Sequence, residues 1–154
     1  MERVFISKKP ALTTAIGTRL AAFLVPGAVI ALSGDLGAGK TTLTGGIAQG
    51  LGVKEHVISP TFNILKEYRS GIMPLFHIDA YRLEDGNADI GLEEFIDDGG
   101  VSVIEWPEYV ASFIPGGALR ISIYDDGPET RRLVMTTDND AYHPYFDALE
   151  AFLK

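Results

Sequence analysis

The chain has 154 residues and a mass of 16.7 kDa, one domain's worth of polypeptide, and its 46% hydrophobic content is enough to bury a core. A net charge of −8 and a pI of about 4.8 oppose direct, unaided gripping of a nucleic-acid backbone, while an indirect role through a partner that holds the RNA or DNA stays open. With no cysteine there are no disulfides, thiolate catalysis or Cys-based metal sites, and no apolar run is long enough to span a bilayer. The first residues, Met1-Glu2-Arg3-Val4, lack the charged-then-apolar layout of a signal peptide, so the expected location is cytoplasmic.

In chain order, Val4–Ile6 reads as a short strand, and residues 10 to 23 as a helix opened by Pro10, with Leu12, Ile16, Leu20 and Phe23 on one face. Pro26-Gly27 turns the chain into Ala28–Leu32. That run is continuously apolar, as a central strand covered on both faces is. A glycine-rich loop follows at once, then a helix from Thr41 to Leu51 closed by Gly50 or Gly52. Phe62–Tyr68 and Leu75–Asp79 read as strands around Ser70-Gly71, and residues 86 to 98 as short helices with acidic loops. Val101–Glu105 is a second buried strand, and Pro107–Phe113 a short helix. Leu119–Tyr124 and Arg132–Thr136 alternate about Asp125-Asp126-Gly127-Pro128, as a hairpin does. Residues 142 to 153 close the chain as a helix. The pattern predicts one α/β domain over residues 1–154: a P-loop NTPase-like mixed β-sheet flanked by helices, with antiparallel hairpin strands.

The strongest chemical signal is Gly34-Asp35-Leu36-Gly37-Ala38-Gly39-Lys40-Thr41, a complete P-loop between a buried strand and a helix. Backbone N–H groups can surround a phosphate chain only where side chains stay clear, hence the glycines. The positive end of the following helix faces the phosphates. Lys40 supplies a mobile charge for their oxygens and Thr41 a hydroxyl for Mg²⁺. Such sites also need an acid at the end of a neighbouring strand. Asp79 and Glu105 each leave a buried strand at its carboxyl end, so one can assist the metal and the other order or deprotonate water. Ser59-Pro60-Thr61-Phe62 falls where P-loop proteins keep a switch loop, with Thr61 offering a hydroxyl. By itself Asp97-Asp98-Gly99-Gly100 reads as a turn, His77 as a structural histidine, and Trp106 as core. A small-molecule kinase is the alternative reading of the same P-loop. It normally needs an arginine-rich lid, and residues 83 to 118 hold no Arg or Lys. A GTPase wants an Asn-Lys-x-Asp guanine reader, and no Asn-Lys pair occurs.

The P-loop continued to Thr42, Ser59–Phe62, His77-Ile78-Asp79-Ala80-Tyr81-Arg82, Gly91-Leu92-Glu93-Glu94-Phe95 and Ile104-Glu105-Trp106-Pro107-Glu108 occur in one order. In that order they closely resemble the TsaE (YjeE) family of bacterial P-loop ATPases, over roughly residues 1 to 137. The resemblance implies ATP with Mg²⁺ and weak intrinsic hydrolysis. It also implies a part in forming threonylcarbamoyladenosine at position 37 of tRNAs that read codons starting with A. The implied partners are TsaB and TsaD, with the tRNA reached indirectly through that complex and no membrane involved. On the family pattern, Thr41 and Glu105 are the magnesium residues and Asp79 a catalytic or water-ordering acid. Trp106 lies near the nucleotide or a partner, and a late arginine approaches the nucleotide. Arg131 and Arg132 are both open to that role, with Arg132 the candidate contact.

Overall fold

Seven strands form one mixed sheet in the computed structural model, which describes residues 1–35, 37–60, 64–81, 94 and 98–154. The strands are β1 (Glu2–Ser7), β2 (Val29–Gly34), β3 (Leu65–Tyr68), β4 (Leu75–Asp79), β5 (Val101–Glu105), β6 (Leu119–Asp125) and β7 (Arg131–Thr136). Across the sheet the order is β1-β7-β6-β2-β5-β4-β3. The middle four, β6-β2-β5-β4, are parallel. The β6–β7–β1 meander continues one side antiparallel, and β3 does so on the other. The apolar runs of β2 and β5 are buried along their length because helices cover both faces there, whereas β6 alternates buried and exposed positions.

Three α-helices cover one face: α1 (Pro10–Ala21), α2 (Lys40–Gly50) and α3 (His143–Phe152). Ile16, Leu20, Leu43, Ile47, Tyr145 and Phe146 form a core there with Ile30, Leu32, Val103, Ile121 and Leu133 of the sheet. The other face is thinner. Val29, Ala31, Phe76, Ile78 and Ile104 pack beneath Val110, in the 3-10 helix Pro107–Phe113, and Ile114 just after it. Among the described residues no helix is long and apolar enough to cross a membrane.

The expected strands at Leu75–Asp79 and Val101–Glu105 and the short helix at Pro107–Phe113 have the expected bounds. The first helix ends two residues earlier, at Ala21. The C-terminal one runs His143–Phe152, one residue shorter at each end, and follows a 3-10 turn, Asp140–Tyr142, which Asn139 caps by accepting the Ala141 N–H. Strand β3 begins at Leu65. The expected start at Phe62 and most of the helical reading at 86 to 98 lie outside the described residues.

Three glycines, Gly17 on α1 and Gly46 and Gly50 on α2, let α1 press directly onto α2. A Cβ on Gly46 would sit 2.2 Å from the Thr14 carbonyl oxygen, and one on Gly17 would sit 2.4 Å from that of Leu43. Both obstacles are backbone, so neither can rotate away. The Thr18 hydroxyl donates to the Gly46 carbonyl at 3.1 Å across the same seam. This seam sets where α2, and with it the P-loop, sits. Gly46→Ala is therefore expected to destabilise the fold by about 1–3 kcal/mol, as overpacking does. At Gly45 an added Cβ meets no atom within 4 Å, so Gly45→Ala is expected to hold or raise stability by up to about 1 kcal/mol. Urea midpoints of the two variants check the pair, and equal midpoints would count against the seam.

Candidate functional site

Strand β2 ends at Gly34 and α2 begins at Lys40, so the loop between them lies at the carboxyl edge of the parallel strands. Gly37 and Gly39 hold φ of 81° and 108°, in the left-handed region that side chains disfavour. Gly39 is the N-cap of α2 and brings no side chain to it. The first-turn amides of Lys40, Thr41 and Thr42 thus face outward without intrahelical acceptors. Thr41 is exposed and Thr42 half-buried, and a cleft of about 410 Å³ runs from them along α2 to His56 and Val57. That volume lies in the range of small-ligand sites. Leu36 lies outside the described residues, as does Thr61 of the expected switch loop.

Parallel register brings the two acids together. Asp79 pairs with Glu105, and Glu105 with Leu32 of β2, so three strands end in line beside the loop. Glu105 is only 4% exposed. Its Oε1 lies 3.5 Å from Lys40 Nζ, and its Oε2 accepts a hydrogen bond from His77 Nε2 at 2.5 Å. Burial by itself raises the Glu105 carboxyl. The hydrogen bond and charge of His77 and the ammonium of Lys40 together outweigh it and hold the group below the usual carboxylate range. Asp79 is half-buried, and its Oδ1 accepts the Tyr81 N–H at 2.9 Å.

Trp106 is the one non-glycine among the described residues with positive φ, at φ 56° and ψ 51°. A left-handed residue ahead of a proline stores strain on the order of 1–3 kcal/mol. The indole is half-buried at the margin of the thinner core. Its ring lies 4.8 Å from Lys40 Nζ, 5.0 Å from the Tyr81 ring and 6.1 Å from that of Tyr109, with which it stacks. Trp106 also walls a cavity of about 220 Å³ with Ser33, Gly34, Asp35, Ser122 and Tyr124.

Of the two late arginines, Arg131 meets the P-loop. Its Nε donates to the Ala38 carbonyl at 2.9 Å, and Nη2 reaches that of Gly37 at 3.5 Å. Its Nη1 donates to the carbonyls of Gly127 and Thr130 and to Asp125, tying the β6–β7 turn to the loop. Arg132 points to the other sheet face, as the next residue along a strand does. There it pairs with Asp126 at 3.3 Å and lies over the Tyr124 ring.

The structure therefore gathers Gly34, Asp35, Gly37, Ala38, Gly39, Lys40, Thr41, Thr42, Asp79, Glu105 and Trp106 along one sheet edge. Sequence alone reads His77 as structural; it is buried and also touches Glu105 directly. Its signal was a position two residues before Asp79, on the same strand face. The donor set suits a phosphate chain and a hard cation: turned-out amides, one mobile ammonium, a hydroxyl and a carboxylate. No cluster of three His, Asp or Glu side chains able to cage a metal occurs among the described residues.

A family model described as "Threonylcarbamoyl adenosine biosynthesis protein TsaE" matches residues 7–133. The Bacillus subtilis tRNA threonylcarbamoyladenosine biosynthesis protein TsaE is 45% identical over 133 residues, which cover 86% of this chain and 84% of that protein. The Streptomyces coelicolor protein of the same description is 41% identical, with 79% and 87% covered. The crystal structure of Bacillus subtilis YdiB superposes with a TM-score of 0.82 at 36% identity, over 99% of this chain and 96% of that one.

Proposed function

The chain belongs to the TsaE family of threonylcarbamoyladenosine biosynthesis proteins, and from that premise we propose that it is a cytoplasmic ATPase that serves this tRNA modification together with TsaB and TsaD homologues. The observation that carries the ATPase reading is Lys40 held 3.5 Å from Glu105 at the open end of a P-loop, with Asp79 in register beside it. The first-turn amides of α2 and the Lys40 ammonium bind the phosphates of ATP. Thr41 and Glu105 hold Mg²⁺, which when bound supplies charge neutralisation at the transferring phosphoryl group. Asp79, the less buried acid, orders the attacking water. Trp106 and Tyr81 shelter the phosphate edge from bulk solvent. Arg131 keeps the loop carbonyls turned inward and so leaves the amides facing out.

The acidic surface fits a protein that acts on a tRNA-holding partner without gripping the tRNA. Phosphate release is the test, from the purified chain alone and mixed with TsaB and TsaD of the same organism. Slow release that rises sharply in the mixture is the expected result. No rise with all three proteins folded overturns the partnership, and a phosphorylated metabolite in place of free phosphate would mark a kinase instead.

A further inference from the structure

His77 has no part in the proposed chemistry so far, yet it is wholly buried and, among the described residues, makes one polar contact, to the carboxylate at the centre of the site. Its Nδ1 has no hydrogen-bond partner among the described residues. Nε2 faces the carboxylate, so it is the ring nitrogen that donates, and Glu105 Oε2 accepts its proton. A ring serving only to fill space would bury less polar surface as leucine or phenylalanine. What histidine adds at this position is the Nε2–H.

Glu105 divides its two oxygens. Oε2 faces His77 along the sheet, and Oε1 faces Lys40 at the P-loop. The Lys40 contact is the temporary one, because the same ammonium is needed at the phosphates. Once Lys40 moves, a glutamate with free side-chain torsions can follow it or swing away. Register opposes that, since His77 lies two residues before Asp79 on β4 and Glu105 pairs with Asp79 on β5. The imidazole and the carboxylate therefore share one face, with the histidine on the core side.

We propose that His77 is a positioning residue for Glu105, its Nε2–H holding Oε2 inward so that Oε1 stays aimed at the P-loop after Lys40 leaves. The inference rests on the reading of Glu105 as a magnesium residue. Hydrogen-bond partners of metal-binding carboxylates typically change metal affinity or activity by 10–100-fold when removed.

The test is calorimetric titration of a non-hydrolysable ATP analogue into the full-length protein across a range of Mg²⁺ concentrations. For His77→Leu, the Mg²⁺ concentration giving half-maximal tightening is expected to rise about tenfold or more, with metal-free affinity within about twofold of wild type. His77→Gln, which keeps an N–H donor, is expected to recover most of the shift. His77→Phe replaces the leucine variant if that variant does not fold. Glu105→Gln runs in parallel and must itself shift the Mg²⁺ dependence. If it does not, the magnesium reading fails and this inference with it. If Glu105→Gln shifts the dependence while His77→Leu and His77→Phe match wild type, the positioning role alone is overturned. Equal impairment of His77→Gln and His77→Leu overturns it as well, since a donor would then make no difference.

Discussion

Lys40→Ala is expected to remove the response of the protein to Mg·ATP. In thermal unfolding, a ligand that binds only the folded state raises the midpoint by mass action, so wild type should gain several degrees at saturating Mg·ATP. The variant's midpoint should stay where it is. A charge-assisted phosphate contact contributes about 1.5–3 kcal/mol, or roughly 10–150-fold in affinity. Loss of one such donor from a transition state lowers turnover about 10²–10³-fold. The structure adds a second expectation, on folding. Among the described residues Lys40 is one of two partners of a buried carboxylate, and its removal leaves the His77 hydrogen bond. Deleting one partner of a buried pair typically costs about 3–5 kcal/mol. The remaining hydrogen bond makes the expected loss smaller than that. Binding and stability are separable here. A Lys40→Ala protein that still gains the wild-type increment from Mg·ATP would refute the assignment of Lys40 to the phosphates.

The parts of the site that sequence made legible are those set by local rules. The P-loop reads directly because its glycines, Lys40 and Thr41 are contiguous and flanked by an apolar strand and a helix. Asp79 and Glu105 are legible because each ends a mostly apolar run, broken only by His77 in one and Ser102 in the other, as buried parallel strands read. That the two face each other is a matter of register between β4 and β5, which no spacing in the chain reports. The same limit hid the contact between His77 and Glu105, 28 residues apart. Arg131 and Arg132 are adjacent on β7, and alternation guarantees that only one faces the loop. That Arg131 is the one bonded to the P-loop carbonyls follows from the packing of the β6–β7 turn against Gly37 and Ala38. The left-handed backbone of Trp106 contradicts the local preference ahead of Pro107, so tertiary packing alone imposes it. The glycine seam between α1 and α2 was equally invisible. Gly17 and Gly46 interrupt their helical patterns, and only the partner helix explains why.

The two acids differ in surroundings, and that difference predicts different failures. Glu105 is buried and held by Lys40 and His77, which fits a group that keeps a fixed place while a cation binds. Asp79 is half-exposed, and its Oδ1 accepts the Tyr81 N–H. Asn can accept that same N–H through its side-chain oxygen, so Asp79→Asn preserves the local turn and deletes only the charge. The expected result is a variant with wild-type thermal stability, wild-type affinity for a non-hydrolysable ATP analogue and wild-type Mg²⁺ dependence. Its phosphate release with TsaB and TsaD should fall about 10²-fold or more, the lower range for losing a positioned acid or base. Glu105→Gln should fall at least as far in turnover, but with a raised Mg²⁺ requirement that Asp79→Asn does not share. The split follows from where the charges sit: one carboxylate lies against Lys40 of the P-loop, and the other lies one strand further out and is half-exposed. If both variants raise the Mg²⁺ requirement alike, the acids share the metal and the division of labour is wrong. If Asp79→Asn turns over at the wild-type rate, water is ordered elsewhere, and Asp79 is a turn residue that happens to end beside the site.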